Sequence, residues 1–166
     1  MRSRRNPTDT LGGFTIVELL VVMLILAIVA AIVVPSVGNT SDMRATAATR
    51  LIAADLQYAQ NMAVTHQEPV GVEFFPDGEY YQLSNTSGPL IHPMTKTAYT
   101  VNFASQDEFG KLDIVSADFD GGSKVTFDEL GAPDNSGSVT VKSGVSTYRI
   151  DVAAATGKVT VTYVAP

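Results

Sequence analysis

The chain has 166 residues, 45% of them hydrophobic, with a formal charge of −6 and no cysteine. That length suits one domain of ordinary size plus an appendage, and the missing cysteine excludes a disulfide framework or a thiolate metal site. The acidic balance argues against nucleic acid as a partner, because binding phosphate backbones needs lysine and arginine to displace counterions. Positive charge is also unevenly placed: Arg2, Arg4 and Arg5 precede the first apolar run, while the chain beyond residue 13 holds 8 basic and 16 acidic side chains.

The first predicted element is that apolar run, Phe14 to Val37, in which every residue from Leu19 to Val34 is apolar. As a helix its 24 residues would measure about 36 Å, against a hydrocarbon core of about 30 Å. The run is long enough to span, and the three arginines on its near side place the N-terminus in the cytoplasm. Three readings remain for such a start. It is a cleavable secretory signal cut near Ala27 to Ala31, a plain signal anchor, or a segment processed ahead of the apolar run at Gly13–Phe14. Glu18 separates them. A carboxylate near the start of an apolar core costs roughly 2.5–3.5 kcal/mol at a helix centre and asks for a task and a partner, which an ordinary signal does not supply.

The stretch Gly13-Phe14-Thr15-Ile16-Val17-Glu18-Leu19-Leu20 resembles the class III signal of type IV pilins and type II secretion pseudopilins. In that family a short basic leader ends in glycine, phenylalanine follows, and glutamate is fifth after the cut. Pro35, twenty-second after the cut, matches the position at which many pilin helices bend, and proline removes one helix hydrogen bond and clashes with the preceding turn. The resemblance implies that a membrane-embedded prepilin peptidase removes residues 1–13 on the cytoplasmic side and methylates the new amine of Phe14. It also implies that Glu18 pairs with the Phe14 ammonium of an adjacent subunit, which neutralises two charges at similar depth and fixes axial register. Glycine before the bond suits this, since it lets the backbone lie in a protease cleft without obstruction.

From Ser41 to about His66 the helical pattern returns, with Thr40 or Ser41 able to cap it. Ala47, Leu51, Ala54, Tyr58 and Met62 form an apolar stripe expected to face a β-sheet, while Arg44, Arg50, Asp55, Gln57 and Gln60 fall mostly away from it. Glu68-Pro69 ends the helix. Candidate strands follow at 70–74, 80–83, 99–103, 111–116, 123–128, 138–142, 146–152 and 158–164, separated by turn-forming clusters.

Residues 51–64, Phe127-Asp128 with Gly131-Ala132-Pro133, and Thr156-Gly157-Lys158-Val159 are similar to the H-type minor pseudopilins and fimbrial T-type minor pilins, which share one domain. The resemblance implies an α+β, pilin-like fold. A long N-terminal transmembrane helix would continue into a helix packed on an antiparallel β domain of two sheets. The expected divisions are 1–13 leader, 14–37 transmembrane half-helix, 38–66 periplasmic half-helix and 67–166 β domain.

Other sites are weaker. Asp118, Asp120 and Glu129 stand at the first, third and twelfth places of a calcium-loop pattern, but Gly122 and Ser123 break it, and Asp118 to Gly122 reads as a hairpin turn. His66 and His92 lack metal-ligand spacing. Ser136, Ser138 and Ser146 have no visible base partner, and no phosphate loop, dinucleotide fingerprint or nucleophile elbow occurs, so neither catalysis nor a cofactor is expected. Lys96, Lys111, Lys124, Lys142, Arg149 and Lys158 are too scattered to show a basic patch.

The expected function is a minor pseudopilin of a type II secretion system. It would be held in the inner membrane with its C-terminal domain periplasmic, then added near the tip of a short filament. Its partners would be other pseudopilins or pilins, the prepilin peptidase and the inner-membrane assembly platform. The alternatives are a T-type minor pilin priming a type IV pilus for motility or DNA uptake, and a membrane-anchored periplasmic ligand-binding β domain.

Overall fold

The computed structural model describes residues 13–33, 40–105 and 112–164. The leader up to residue 12 and Pro35 lie outside the described residues. The chain divides after Gly38 into two units.

The first unit carries α1, Ile16–Val33. Its 18 residues rise about 27 Å, and among the described residues no helix is long and apolar enough to cross a membrane by itself. Large apolar side chains are exposed all around it, from Phe14 through Leu20 and Leu24 to Val29.

The second unit begins with α2, Thr40–His66. Alanine-rich sequence favours helix, and two hydroxyls inside it bond back one turn, Thr46 to the Asp42 carbonyl and Thr49 to the Ala45 carbonyl. The helix stops where Gln67 turns left-handed at φ 53°. The Glu68 N–H then reaches back to the Ala63 carbonyl at 3.3 Å, a Schellman-type close ahead of Pro69.

Among the described residues nine strands follow: β1 Val70–Phe75, β2 Tyr80–Asn85, β3 Gly88–Pro89, β4 Thr100–Asn102, β5 Leu112–Asp118, β6 Lys124–Phe127, β7 Gly137–Ser143, β8 Ser146–Val152 and β9 Val159–Val164. They form two antiparallel sheets. One has the order β3-β2-β1-β6 with β4 also paired to β2, and the other has the order β5-β7-β8-β9. A single tight turn at Pro76–Gly78 joins β1 to β2 and sets Phe74 opposite Tyr81. The expected strands match these elements to within two residues at each end, whereas the two-residue β3 carries too little pattern to be read.

Ile52 and Leu56 of α2, Val72 and Phe74 of β1, Val139 and Val141 of β7, and Ile150 of β8 share one buried core. The helix phase differs from the sequence expectation. The buried α2 positions are Ala45, Ala48, Ile52, Leu56, Ala59 and Ala63, while Ala47 and Ala54 are exposed and Leu51, Tyr58 and Met62 only half-buried. Both sets keep helical spacing. The observed face wins because its alanines let the sheets approach closely on either side of Ile52 and Leu56, and close approach is what fills a core.

Candidate assembly site

The N-terminal segment is built by a short hydroxyl cap. Thr15 precedes α1, its Oγ1 accepts the Glu18 N–H at 3.2 Å, and its carbonyl accepts the Leu19 N–H at 3.2 Å. Thr15-x-x-Glu18 is the residue pattern of a capping box, a signal legible in the sequence from spacing alone. Glu18 therefore lies in the first turn, where a carboxylate also meets the positive end of the helix dipole, worth about 0.3–1 kcal/mol. Gly13 and Phe14 are exposed immediately ahead of the cap. A Cβ built on Gly13 would meet nothing within 4 Å. Nothing in the described fold requires glycine there, so a requirement for glycine must come from whatever binds this segment.

In the second unit, three sets of polar contacts hold α2 to the sheets. The first is Asp55, 5% exposed, which accepts the Tyr81 hydroxyl at 2.6 Å and the Tyr99 hydroxyl at 2.9 Å. Burial raises the Asp55 carboxyl above its ordinary value, partly offset by the two tyrosine hydrogen bonds and by nearby His92. Burial first, and Asp55 second, push both tyrosines up. The His92 ring packs 4.6 Å from that of Tyr99, and its Nδ1 accepts the Met94 and Thr95 N–H groups at 3.2 Å.

The second set is a clamp. Gln60 Nε2 donates to the Gly131 carbonyl at 2.7 Å and to the Thr156 carbonyl at 2.9 Å. Gly131 and Gly157 both have positive φ, 81° and 63°, and a Cβ on Gly157 would stand 2.6 Å from Gln60 Nε2 and 3.0 Å from Phe127 Cε1. Two turns 26 positions apart in sequence thus close on one helix side chain. These are the turns whose residues carry the softer resemblance, and the clamp gives both glycines a physical reason. The third set sits nearer the start of α2: Ser146 donates to Asp42, and the Thr46 and Tyr148 hydroxyls lie 2.9 Å apart. Asp55 and Gln60 were both expected on the outer face. The shifted helix phase turns them inward, and only the alternative stripe through Ile52, Leu56, Ala59 and Ala63 could have revealed it.

The remaining sequence candidates stay apart. Phe119 and Gly122 pair across a tight turn in which Asp120 and Gly121 both have positive φ, 54° and 84°, and Asp118 Oδ1 accepts the Gly121 N–H at 2.9 Å. This is a type I′ turn. Among the described residues no group of three or more histidine or acidic side chains gathers as for a metal ion. His66 is exposed at the end of α2, and Arg149 pairs with Asp151 at 2.9 Å.

The sequence profile described as "Type II transport protein GspH" matches residues 48–156, more than half of the chain. The chain belongs to the GspH family of type II transport proteins. A second profile, the prokaryotic N-terminal methylation motif, matches residues 12–34. No curated protein sequence matches significantly. Among solved structures, the minor pseudopilin EpsH of Vibrio cholerae matches with a TM-score of 0.53 at 11% identity, over 74% of this chain and 98% of that one. The type IV minor pilin FimU of Pseudomonas aeruginosa matches with a TM-score of 0.53 at 16% identity, over 74% and 91%. At such identities these neighbours establish the fold alone, an α+β pilin-like architecture. Family membership carries the rest: a minor pseudopilin of type II secretion, membrane-anchored, that assembles with other pseudopilins or pilins.

Proposed function

We propose that the chain is a structural subunit, not an enzyme, and that it enters the periplasmic pseudopilus near its tip after cleavage at Gly13–Phe14 and methylation of Phe14. The observation that carries this reading is the coexistence on one chain of the methylation motif at residues 12–34 and the GspH domain at 48–156. The first supplies an anchor that can be processed and packed, and the second supplies a folded head that stays soluble. In this reading Glu18 serves assembly: its carboxylate faces the Phe14 ammonium of a neighbour in the apolar bundle.

The test is Glu18→Ala in the full chain. The Thr15 cap bonds to the backbone N–H of residue 18, so it survives the substitution and leaves only the carboxylate under test. Insertion should be unharmed, because a costly charge leaves the apolar run, and cleavage at Gly13 should persist. Co-purification with the other filament subunits should collapse, since an ammonium left unpaired in a dry interface costs about 3–5 kcal/mol. Glu18→Gln should behave like alanine. Normal co-assembly of a stable Glu18→Ala protein would remove the charge-pairing account. The minor type IV pilin remains the second reading, favoured by the likeness to FimU equalling that to EpsH. Neighbouring genes for a secretion ATPase and secretin, or for a pilus, separate the two.

A further inference from the structure

The hairpin that carries the chain from β3 to β4 closes on a histidine. Ile91 and Ala98 pair across it, and the His92 N–H donates to the Thr97 carbonyl at 2.8 Å. Between them Pro93 to Thr95 form a tight turn. The Lys96 N–H returns to the His92 carbonyl at 3.0 Å, and Lys96 itself is left-handed at φ 58°. As at a helix start, the first backbone N–H groups of such a turn have no partner within it. Pro93 has no N–H to offer, and His92 Nδ1 accepts the next two, from Met94 and Thr95, at 3.2 Å each. Serine, threonine, aspartate or asparagine ordinarily takes this capping role. None of those side chains loses its acceptor near neutral pH, whereas an imidazole does.

We propose that His92 is a proton-sensitive latch: neutral, it holds the 92–97 turn closed, and protonated, it releases the turn. Only the tautomer with its proton on Nε2 keeps a lone pair on Nδ1. Protonation puts a hydrogen there, so a donor then faces the Met94 and Thr95 donors and the cap is lost. The strand pairing behind the turn stays. It rests on the Ile91–Ala98 bridge and on the Tyr99 N–H, which donates to the Leu90 carbonyl at 2.6 Å, and neither uses an imidazole atom. What the latch controls is the presentation of Met94, 86% exposed within the turn, and of Ile91, 61% exposed beside it.

The neighbours of His92 fix where the protonated ring goes. The ring packs on Tyr99, 4.6 Å between centroids, and Tyr99 stacks in turn on Tyr58 of α2. The Asp55 carboxylate of α2, which accepts the Tyr99 hydroxyl and that of Tyr81 of β2, is close enough to feel the charge of His92. Burial and Asp55 hold Tyr81 and Tyr99 above the ordinary tyrosine value, so both stay neutral while an imidazole titrates. Within the hairpin the one charged side chain is Lys96, of like sign to an imidazolium. Asp55 attracts a protonated ring and Lys96 repels it, but neither gives Nδ1 back its lone pair. Attraction to Asp55 keeps the charged ring against Tyr99, so protonation frees the turn and not the whole hairpin.

The experiment follows the full chain in detergent micelles by nuclear magnetic resonance, with 15N at histidine, methionine and threonine, from about pH 8 to about pH 5, where imidazoles titrate. The ring nitrogens of His92 report its protonation. With the same midpoint, the Met94 and Thr95 amides should lose about tenfold in protection against solvent exchange, corrected for the intrinsic rate. The amides of Thr49 and Met62, inside α2, should keep theirs. His92→Asn retains a side-chain oxygen acceptor that does not titrate, so its turn should stay closed throughout, and the turn of His92→Ala should be open throughout. Protected Met94 and Thr95 amides beside a protonated His92 would overturn the proposal. So would a His92 that stays neutral over the whole range, a loss of protection shared by Thr49 and Met62, or the same loss in His92→Asn.

Discussion

Helix α1 presents leucine, isoleucine, valine and methionine to every side without cover, while α2 hides Ile52 and Leu56 completely and exposes Arg50, Gln57 and Asn61. The two helices differ in where their partners come from. The apolar surface of α2 is matched within the chain by two sheets, and its polar residues Asp55 and Gln60 are spent on fixing that match. A helix apolar all round finds its cover in a membrane or in other proteins. The polar detail of α1 is confined to its first turn, where Thr15 and Glu18 set the start. One region is a finished fold and the other is half of an interface, so a substitution should injure one and leave the other alone.

The largest expected effect is all-or-none and lies in the first unit. Gly13→Leu should abolish cleavage, seen as full retention of residues 1–13 by mass spectrometry. The fold of residues 41–166 should be unchanged by circular dichroism, because a side chain at Gly13 meets nothing within 4 Å. Cleavage at the wild-type rate would show that glycine there answers no demand of the peptidase. The reciprocal injury is Gly157→Ala. A Cβ at φ 63° is strained and meets Gln60 Nε2 at 2.6 Å, so the clamp must open. The left-handed strain and the lost hydrogen bonds together should cost about 3 kcal/mol, read as an earlier urea midpoint for residues 41–166, with cleavage at Gly13 untouched. A loss under about 0.5 kcal/mol, the range of an ordinary surface change, would deny the clamp its structural weight.

The sequence was most legible where chemistry is local. The glycine, the phenylalanine and the glutamate of the N-terminal motif can be read without any tertiary contact, and strand alternation placed eight of the nine strands found among the described residues because each sheet has one buried face. The phase of α2 was not legible. Alanines at 45, 47, 48, 53, 54, 59 and 63 leave several stripes with acceptable spacing, and only the sheets decide which of them is inside. Asp55 was hidden for the same reason, since its acceptors' partners, Tyr81 and Tyr99, lie 26 and 44 residues away.

A smaller effect tests how α2 is held to the first sheet. Asp55→Ala removes the acceptor of two tyrosine hydroxyls and should cost about 2 kcal/mol. Val64→Ala, on the exposed side of the same helix, should stay within about 0.5 kcal/mol. Equal losses would mean that the cluster contributes no more than helix propensity.

The smallest effect is a pH dependence whose sign is fixed. Burial raises the Asp55 carboxyl, so the folded chain binds a proton there more readily than the unfolded chain does. Stability from this group is complete below its unfolded value of about 3.8 and is lost as pH rises through the higher folded value. Glu79 is raised by burial in the same direction, so a wild-type curve alone would not assign the change to Asp55. Asp55→Asn does separate them. The amide oxygen still accepts from one tyrosine and the amide N–H can donate to the hydroxyl of the other, so shape and pairing survive while the titration disappears. Urea unfolding of residues 41–166 should then show the Asp55→Asn variant gaining on the wild type as pH is raised above about 3.8, with no further divergence once Asp55 is ionised in both states. A constant difference across that range would mean Asp55 carries no shifted titration. A difference of the opposite sign would mean that the two tyrosine hydrogen bonds outweigh the burial, and that α2 is held by a carboxylate stabilised in its charged form.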